Sequence, residues 1–294
     1  MTKVAPVSSV APNSWSLPSG PQLLVQSWKL VRARIGVLVG VISIAISLVI
    51  LATVGIGMNV VDFKSWSLGA LFASITFLVL SISFIKTWVD IALVSVVVSP
   101  EKRLGVRGAF RATLKLVLPY WWVSIIIGLI TVGGLIPLII PGIIFATWFG
   151  FTQLLVVTDD LRGFRALAAS RSYARGFVLS ILSRELFLGI VLLLALSPFW
   201  IIGLMMKATW IKEASEVALF VLSPLVLAYK FLLLSSLRER PGVQLLDQIK
   251  MSKGWFLILI WGLILPILMA LIPLFFLSQL YHLYSTPLTS SLIR

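Results

Sequence analysis

Few side chains in this sequence could do chemistry, and most of those are cations. Its 294 residues include ten carboxylates, a single histidine and no cysteine. His282, between Tyr281 and Tyr284, has no second histidine for a triad or a Cys/His zinc set. Neither a metal nor a cofactor is therefore expected. The carboxylates that fall well inside apolar stretches are Asp90 and Glu185, and each has a base beside it. Lys86 precedes Asp90 by four residues and shares its helical face, Arg184 adjoins Glu185, and Lys230 stands in an apolar run of its own. A charge at the centre of a bilayer helix costs about 2.5–3.5 kcal/mol on insertion scales, so these five are the candidate polar intramembrane groups. They would serve an ion path or contact headgroups. The competing reading puts them near the membrane boundary, paired or snorkelling. No acid/base pair at a shared depth is evident, so the chain is not read as an enzyme and no catalytic residue is assigned.

A second group of charges lies between the apolar runs. Arg107, Arg111 and Lys115 recur every four residues, parallel to Val106, Phe110, Leu114 and Val117. That pattern predicts a helix lying in the membrane interface with a basic flank toward headgroups. Asp159, Arg162, Arg171 and Arg175 share one short connection, which could fold as a salt-bridged cap or bind phosphate headgroups.

The elements that must position these groups follow from composition. With 60% hydrophobic and 12% charged residues, the chain carries far more apolar surface than a soluble domain can cover. Its mean hydropathy of +1.09 fits a bilayer, in which about 20 apolar residues make one helical span. The expected fold is all-α, a polytopic transmembrane helix bundle of six to seven spans with short amphipathic interfacial helices on the cytoplasmic side. Residues 1–21 read as a disordered tail, 22–35 as a basic juxtamembrane segment, 36–284 as the transmembrane domain and 285–294 as a C-terminal tail. Spans are expected near 36–57, 68–98, 120–138, 142–158, 177–206, 217–237 and 255–281, the last carrying Pro266 and Pro273. Either the last span crosses and leaves the C-terminus outside, or it is re-entrant.

The net charge of +14 is spread through the connections rather than gathered for nucleic acid, which is not expected as a partner. Lysine and arginine crowd alternate connections: Lys29, Arg32 and Arg34; Lys102 to Lys115; Arg162 to Arg175; Arg238 to Lys253. Those sides are cytoplasmic by the positive-inside rule, as is the N-terminus of a multi-pass protein of the plasma or inner membrane. Anionic lipid headgroups on that face are the expected partners, with a membrane-protein partner or homo-oligomer also open.

The three inner connections, 98–119, 157–176 and 234–254, have similar lengths, and each is followed by an aromatic: Tyr120, Phe177 or Trp255. They read as a threefold repeat of span, interfacial segment, breaker and aromatic-started span. The middle unit carries a resemblance. Pro141-Gly142-Ile143-Ile144, Val156-Val157 with Asp159, Ala166-Leu167, Ser170-Arg171 and Arg175-Gly176 resemble, in order and spacing, the membrane domain found with glycerophosphoryl diester phosphodiesterases. Related uncharacterised bacterial integral membrane proteins of about six spans share the pattern. Tyr229 with Leu237-Arg238-Glu239-Arg240 looks like the end of that domain, so either the final apolar segment is an addition or the span count is one too many. The diesterase activity of that family belongs to a separate soluble barrel. The resemblance therefore implies a non-enzymatic membrane module that organises lipids or partner proteins. The alternative is a small-solute or lipid transporter with a polar path at the midplane, resting mainly on Asp90.

Overall fold

The computed structural model describes residues 16–59, 68–98, 105–135, 139–206 and 209–240, together with Gly262, Ile264, Leu271, Phe276 and Gln279. Among them the chain is helical almost throughout and contains no strand. The order is α1 (Gly20–Arg32), α2 (Ile35–Asn59), α3 (Leu68–Val98), α4 (Val106–Thr113), a 3-10 turn (Leu114–Leu116), α5 (Val117–Leu135), α6 (Ile139–Phe149), α7 (Thr152–Thr158), α8 (Phe164–Ala174), α9 (Val178–Met206) and α10 (Thr209–Arg238). Five stretches are long and apolar enough to cross a membrane: Thr76–Val98, Val106–Leu135, Ile139–Thr158, Val178–Gly203 and Val217–Arg238. A sixth forms if α1 and α2, bent by 80° at their junction, are taken as one broken span. The expected polytopic helix bundle is thus present. The seventh expected span, 255–281, lies outside the described residues apart from the five named above, and so does the third inner connection beyond Arg240.

Local chemistry explains the breaks. The amide of Ser19 donates to Gln22 Oε1 at 3.0 Å and opens α1, which buries Leu23, Ser27 and Val31 at helical spacing. Pro141 sits in the first turn of α6, where a missing amide costs little. α5 and α6 fold back as a tight hairpin because glycines at 134 and 142 leave room for the Phe145 ring and the Leu135 side chain. A methyl on Gly134 would lie 3.0 Å from Gly142 Cα, and one on Gly142 would lie 2.9 Å from Leu135 Cα. α8 is followed by Gly176 at φ +84°, the left-handed position that favours glycine after a helix.

Burial is concentrated at one end of the bundle, the end to which the arginine-rich connections bring their charges. There α1, α4, α7 and α8 pack around the ends of α3, α9 and α10. One apolar cluster joins Leu23, Val94, Phe151, Leu155, Tyr173, Ile181, Tyr229 and Leu233. A second joins Val41, Ala92, Leu93, Val96, Ala109 and Ala228. Away from that basic end the spans carry their large apolar side chains outward, α9 most of all, with Leu193, Trp200 and Met205 exposed.

Candidate functional site

The basic end holds two kinds of cation. Arg171, Arg184 and Arg238 are turned into the fold. Arg184, on the first turns of α9, donates from Nε to the Pro18 carbonyl at 2.7 Å, from Nη2 to the Leu17 carbonyl at 2.9 Å and from Nη1 to the Ser180 carbonyl at 2.6 Å. It therefore clamps the segment that leads into α1. Gly20 seals the same contact, since a methyl there would come within 2.7 Å of the Phe187 ring. Arg238, at the end of α10, donates from Nη2 to Asp159 Oδ2 at 2.5 Å and to Thr158 Oγ1 at 2.9 Å. Its guanidinium also lies 5.8 Å from the centre of the Tyr173 ring. Asp159 thus ties the end of α7 to α10, through an arginine outside its own connection.

Arg171 packs over the Trp148 ring at 4.5 Å, while the neighbouring Ser170 hydroxyl donates to the Trp148 carbonyl at 2.7 Å. These contacts pull α8 into the bundle. Ala166 to Ser170 are all buried, so this helix is a piece of core rather than a strip floating in the interface. Burial, with Arg175 nearby, holds the Arg171 guanidinium below the usual arginine range. Burial also raises the Tyr173 phenol, against the pull of Arg238 and with a smaller push from Asp159.

The other cations face outward. Arg107 and Arg111 on α4, Lys115 on the 3-10 turn, Arg162 and Arg165 before and in α8, and Arg175 after it are exposed. Of these six, Arg162 has a carboxylate partner among the described residues, Asp160 at 3.4 Å, and both of those side chains are more than half exposed. α4 buries Ala109 and Thr113 against α3 and half-buries Val106 and Phe110, which leaves its basic flank free to meet headgroups. Leu114, expected on the covered face, is exposed because the 3-10 turn tightens the winding there.

The candidate intramembrane groups lie at similar distances from the basic end. Asp90 is eight residues before the end of α3 at Val98, Glu185 seven after the start of α9 at Val178, and Lys230 eight before the end of α10 at Arg238, each roughly 10–12 Å along its helix. Trp121 Nε1 donates to Ser83 Oγ at 3.1 Å, joining α5 to α3. Asp90 lies beside α4, where Trp88 Nε1 donates to the Phe110 carbonyl at 3.2 Å, and Lys86 one turn back is exposed.

Glu185 and Lys230 pair across α9 and α10, with Lys230 Nζ 3.5 Å from Glu185 Oε1. Gln153 Nε2 donates to Ser124 Oγ at 3.0 Å, fixing α7 against α5. Gly150 is one turn farther from the basic end, and Glu185 Oε1 lies 3.5 Å from where a methyl on Gly150 would be. Next to Lys230, the Tyr229 hydroxyl donates to the Arg184 carbonyl at 3.0 Å.

Arg238, Trp148 and Gly150 were not among the expected site residues. Arg238 was legible as a topology charge and as part of the family resemblance, but not as a partner of Asp159, which is 79 residues away. The signal for Gly150 was a glycine in mid-span, Trp148-Phe149-Gly150-Phe151, where a straight span has no need of one. No group of three or more histidines, cysteines or carboxylates among the described residues is placed to hold a metal ion. No protein-family model matches the chain, and no curated protein or solved structure matches it.

Proposed function

We propose that the chain is a non-enzymatic membrane module that gathers anionic lipids, and partner proteins with them, on its basic face. This places the basic end in the cytoplasm of a cell whose plasma or inner membrane holds the protein, with the N-terminus on the same side. The observation that carries the reading is the division of the cations. Arg171, Arg184 and Arg238 are used up inside the fold, whereas Arg107, Arg111 and Lys115 form an exposed row along a helix whose other face is packed. A like-charged exposed row attracts phosphates at about 1 kcal/mol for each lysine or arginine near the surface. The resemblance of 141–176 to the membrane domain accompanying glycerophosphoryl diester phosphodiesterases supports the same class. That stretch builds α6, α7 and α8, which hold the basic end together.

A solute path that uses Asp90 is the alternative reading. The test is lipid retention. After gentle extraction, the Arg107→Gln, Arg111→Gln, Lys115→Gln triple variant is expected to keep several-fold less anionic phospholipid than the wild type. Mass spectrometry of the retained lipids measures this, and an unchanged anionic fraction would rule the reading out.

A further inference from the structure

The cations at the surface of the basic end are not all alike. Arg175 and Arg240, 65 residues apart in the chain, come together where the ends of α8 and α10 meet. Arg171 stands in the last turn of α8, and Arg175 follows one turn later as its capping residue. Gly176, at φ +84°, then turns the chain so that the Phe177 amide donates back to the Ala174 carbonyl at 3.1 Å. The turn sets the Phe177 ring and the Arg175 carbonyl beside the end of α10. Arg240, two residues past that end, meets both: its guanidinium lies 4.9 Å from the centre of the Phe177 ring, and its Nη1 donates to the Arg175 carbonyl at 3.4 Å.

The ring takes one flat face of the Arg240 guanidinium and the carbonyl one of its five N–H groups, and neither cancels its charge. Neither Arg175 nor Arg240 has a carboxylate partner among the described residues. Arg171, over the Trp148 ring, is near enough to Arg175 for the two charges to disfavour each other. Two carboxylates stand on the same chain ends, Asp159 held by Arg238 and Glu239 exposed. Set against Arg171, Arg175, Arg238 and Arg240, they leave an excess of two positive charges.

We propose that Arg175 and Arg240 form a binding site for a phosphomonoester, borne by a membrane lipid or by a small soluble phosphate. The site deepens the reading of this face as a collector of anionic headgroups, on which it rests, by naming the class of headgroup. A phosphate with one ester bond carries about −1.5 to −2 charge near neutral pH and offers three oxygens, which suits two arginines in a field of excess positive charge. A diester, with a single charge, matches it less well. Arginine receives phosphate oxygens in pairs, and stacking on Phe177 holds the Arg240 fork in place before the ligand arrives. On α9, Leu179, Leu186 and Leu193 follow at intervals of seven, each more than half exposed, so an apolar ridge suited to acyl chains begins four residues past Arg175.

The experiment uses the full chain in mixed micelles with equal mole fractions of diacylglycerol phosphate, whose headgroup is a monoester, and phosphatidylglycerol, whose headgroup is a diester. Native mass spectrometry counts each lipid bound. The wild type is expected to favour the monoester by about fivefold, the worth of roughly one additional charge near the surface. Replacing both arginines, Arg175→Gln with Arg240→Gln, should bring that ratio close to unity. Arg240→Lys, which keeps the charge but neither the fork nor the flat face, should lower it in part. Arg175→Gln alone, at an exposed position, keeps the test decisive if the double variant does not fold. The Arg107→Gln, Arg111→Gln, Lys115→Gln variant should bind fewer anionic lipids in total at an unchanged ratio, so failure of the lipid-gathering reading and failure of this site are told apart. Inorganic phosphate, added without lipid, separates the sources: saturable binding that Arg175→Gln weakens marks a soluble ligand, and its absence beside a monoester preference marks a lipid. The proposal is overturned if the wild type neither prefers diacylglycerol phosphate nor binds inorganic phosphate, or if folded Arg175→Gln and Arg240→Gln variants keep the preference in full.

Discussion

Along α3, Phe77, Val79, Leu80, Ile82 and Phe84 are exposed, whereas Val89 and Ile91 to Val97 are buried. The same change recurs in α9, from exposed Leu193, Leu194 and Trp200 to buried Ile181 and Leu188. In α10 it runs from exposed Val217, Leu219 and Val221 to buried Tyr229, Leu233 and Leu237. The two ends of the bundle have similar apolar composition and opposite packing. At the basic end, short helices with breaks between them wrap the spans and exclude water from a protein core. At the other end α5 and α6 still close tightly at Gly134 and Gly142, but α3, α9 and α10 turn their large side chains outward, suited to lipid tails, which are as apolar as leucine and exert no hydrophobic drive toward closer packing. The difference locates where the fold stores its stability.

The sharpest way to break this comparison is to shorten one leucine at each end. Leu155→Ala, at a fully buried position, is expected to lose about 2–5 kcal/mol. Leu193→Ala, exposed, should change stability by less than about 0.5 kcal/mol. Thermal unfolding in a single detergent measures both, and equal losses would mean that the ends do not differ. A smaller effect is expected at the polar tie. Arg238→Met leaves Asp159 without its partner and should cost about 2 kcal/mol, read as a lower unfolding midpoint and recovered in part by pairing it with Asp159→Asn. The smallest global effect belongs to Arg184→Met. It should free the segment before α1 from its clamp at a cost of about 1–2 kcal/mol, and hydrogen exchange should rise in α1 while α5 stays protected. Faster exchange spread evenly over all spans would instead make Arg184 part of the general core.

Much of this was open to sequence reasoning. Periodicity and length placed the spans, because a bilayer demands an unbroken run of apolar residues and tolerates charge only at its edges. Arg107, Arg111 and Lys115 were legible as an exposed row because their spacing of four is local. The Asp159–Arg238 and Glu185–Lys230 pairs were not, since each joins residues far apart in the chain whose helices must first pack in register. At Gly150 the sequence shows a mid-span glycine, but not the Glu185 carboxylate that the neighbouring span brings toward it.

By itself, then, the sequence determined a helical membrane chain, the ends of most of its spans, and the connections that carry its positive charge. Those properties depend on the solvent around each residue and on neighbours three or four positions away. Tertiary structure alone decided which apolar residues face protein and which face lipid, and which arginines hold the fold rather than the surface. It also paired Glu185 with Lys230 across α9 and α10. Hydropathy cannot make these distinctions, because a leucine in a protein core and a leucine in lipid tails have the same affinity for water; only the register of one helix against another separates them.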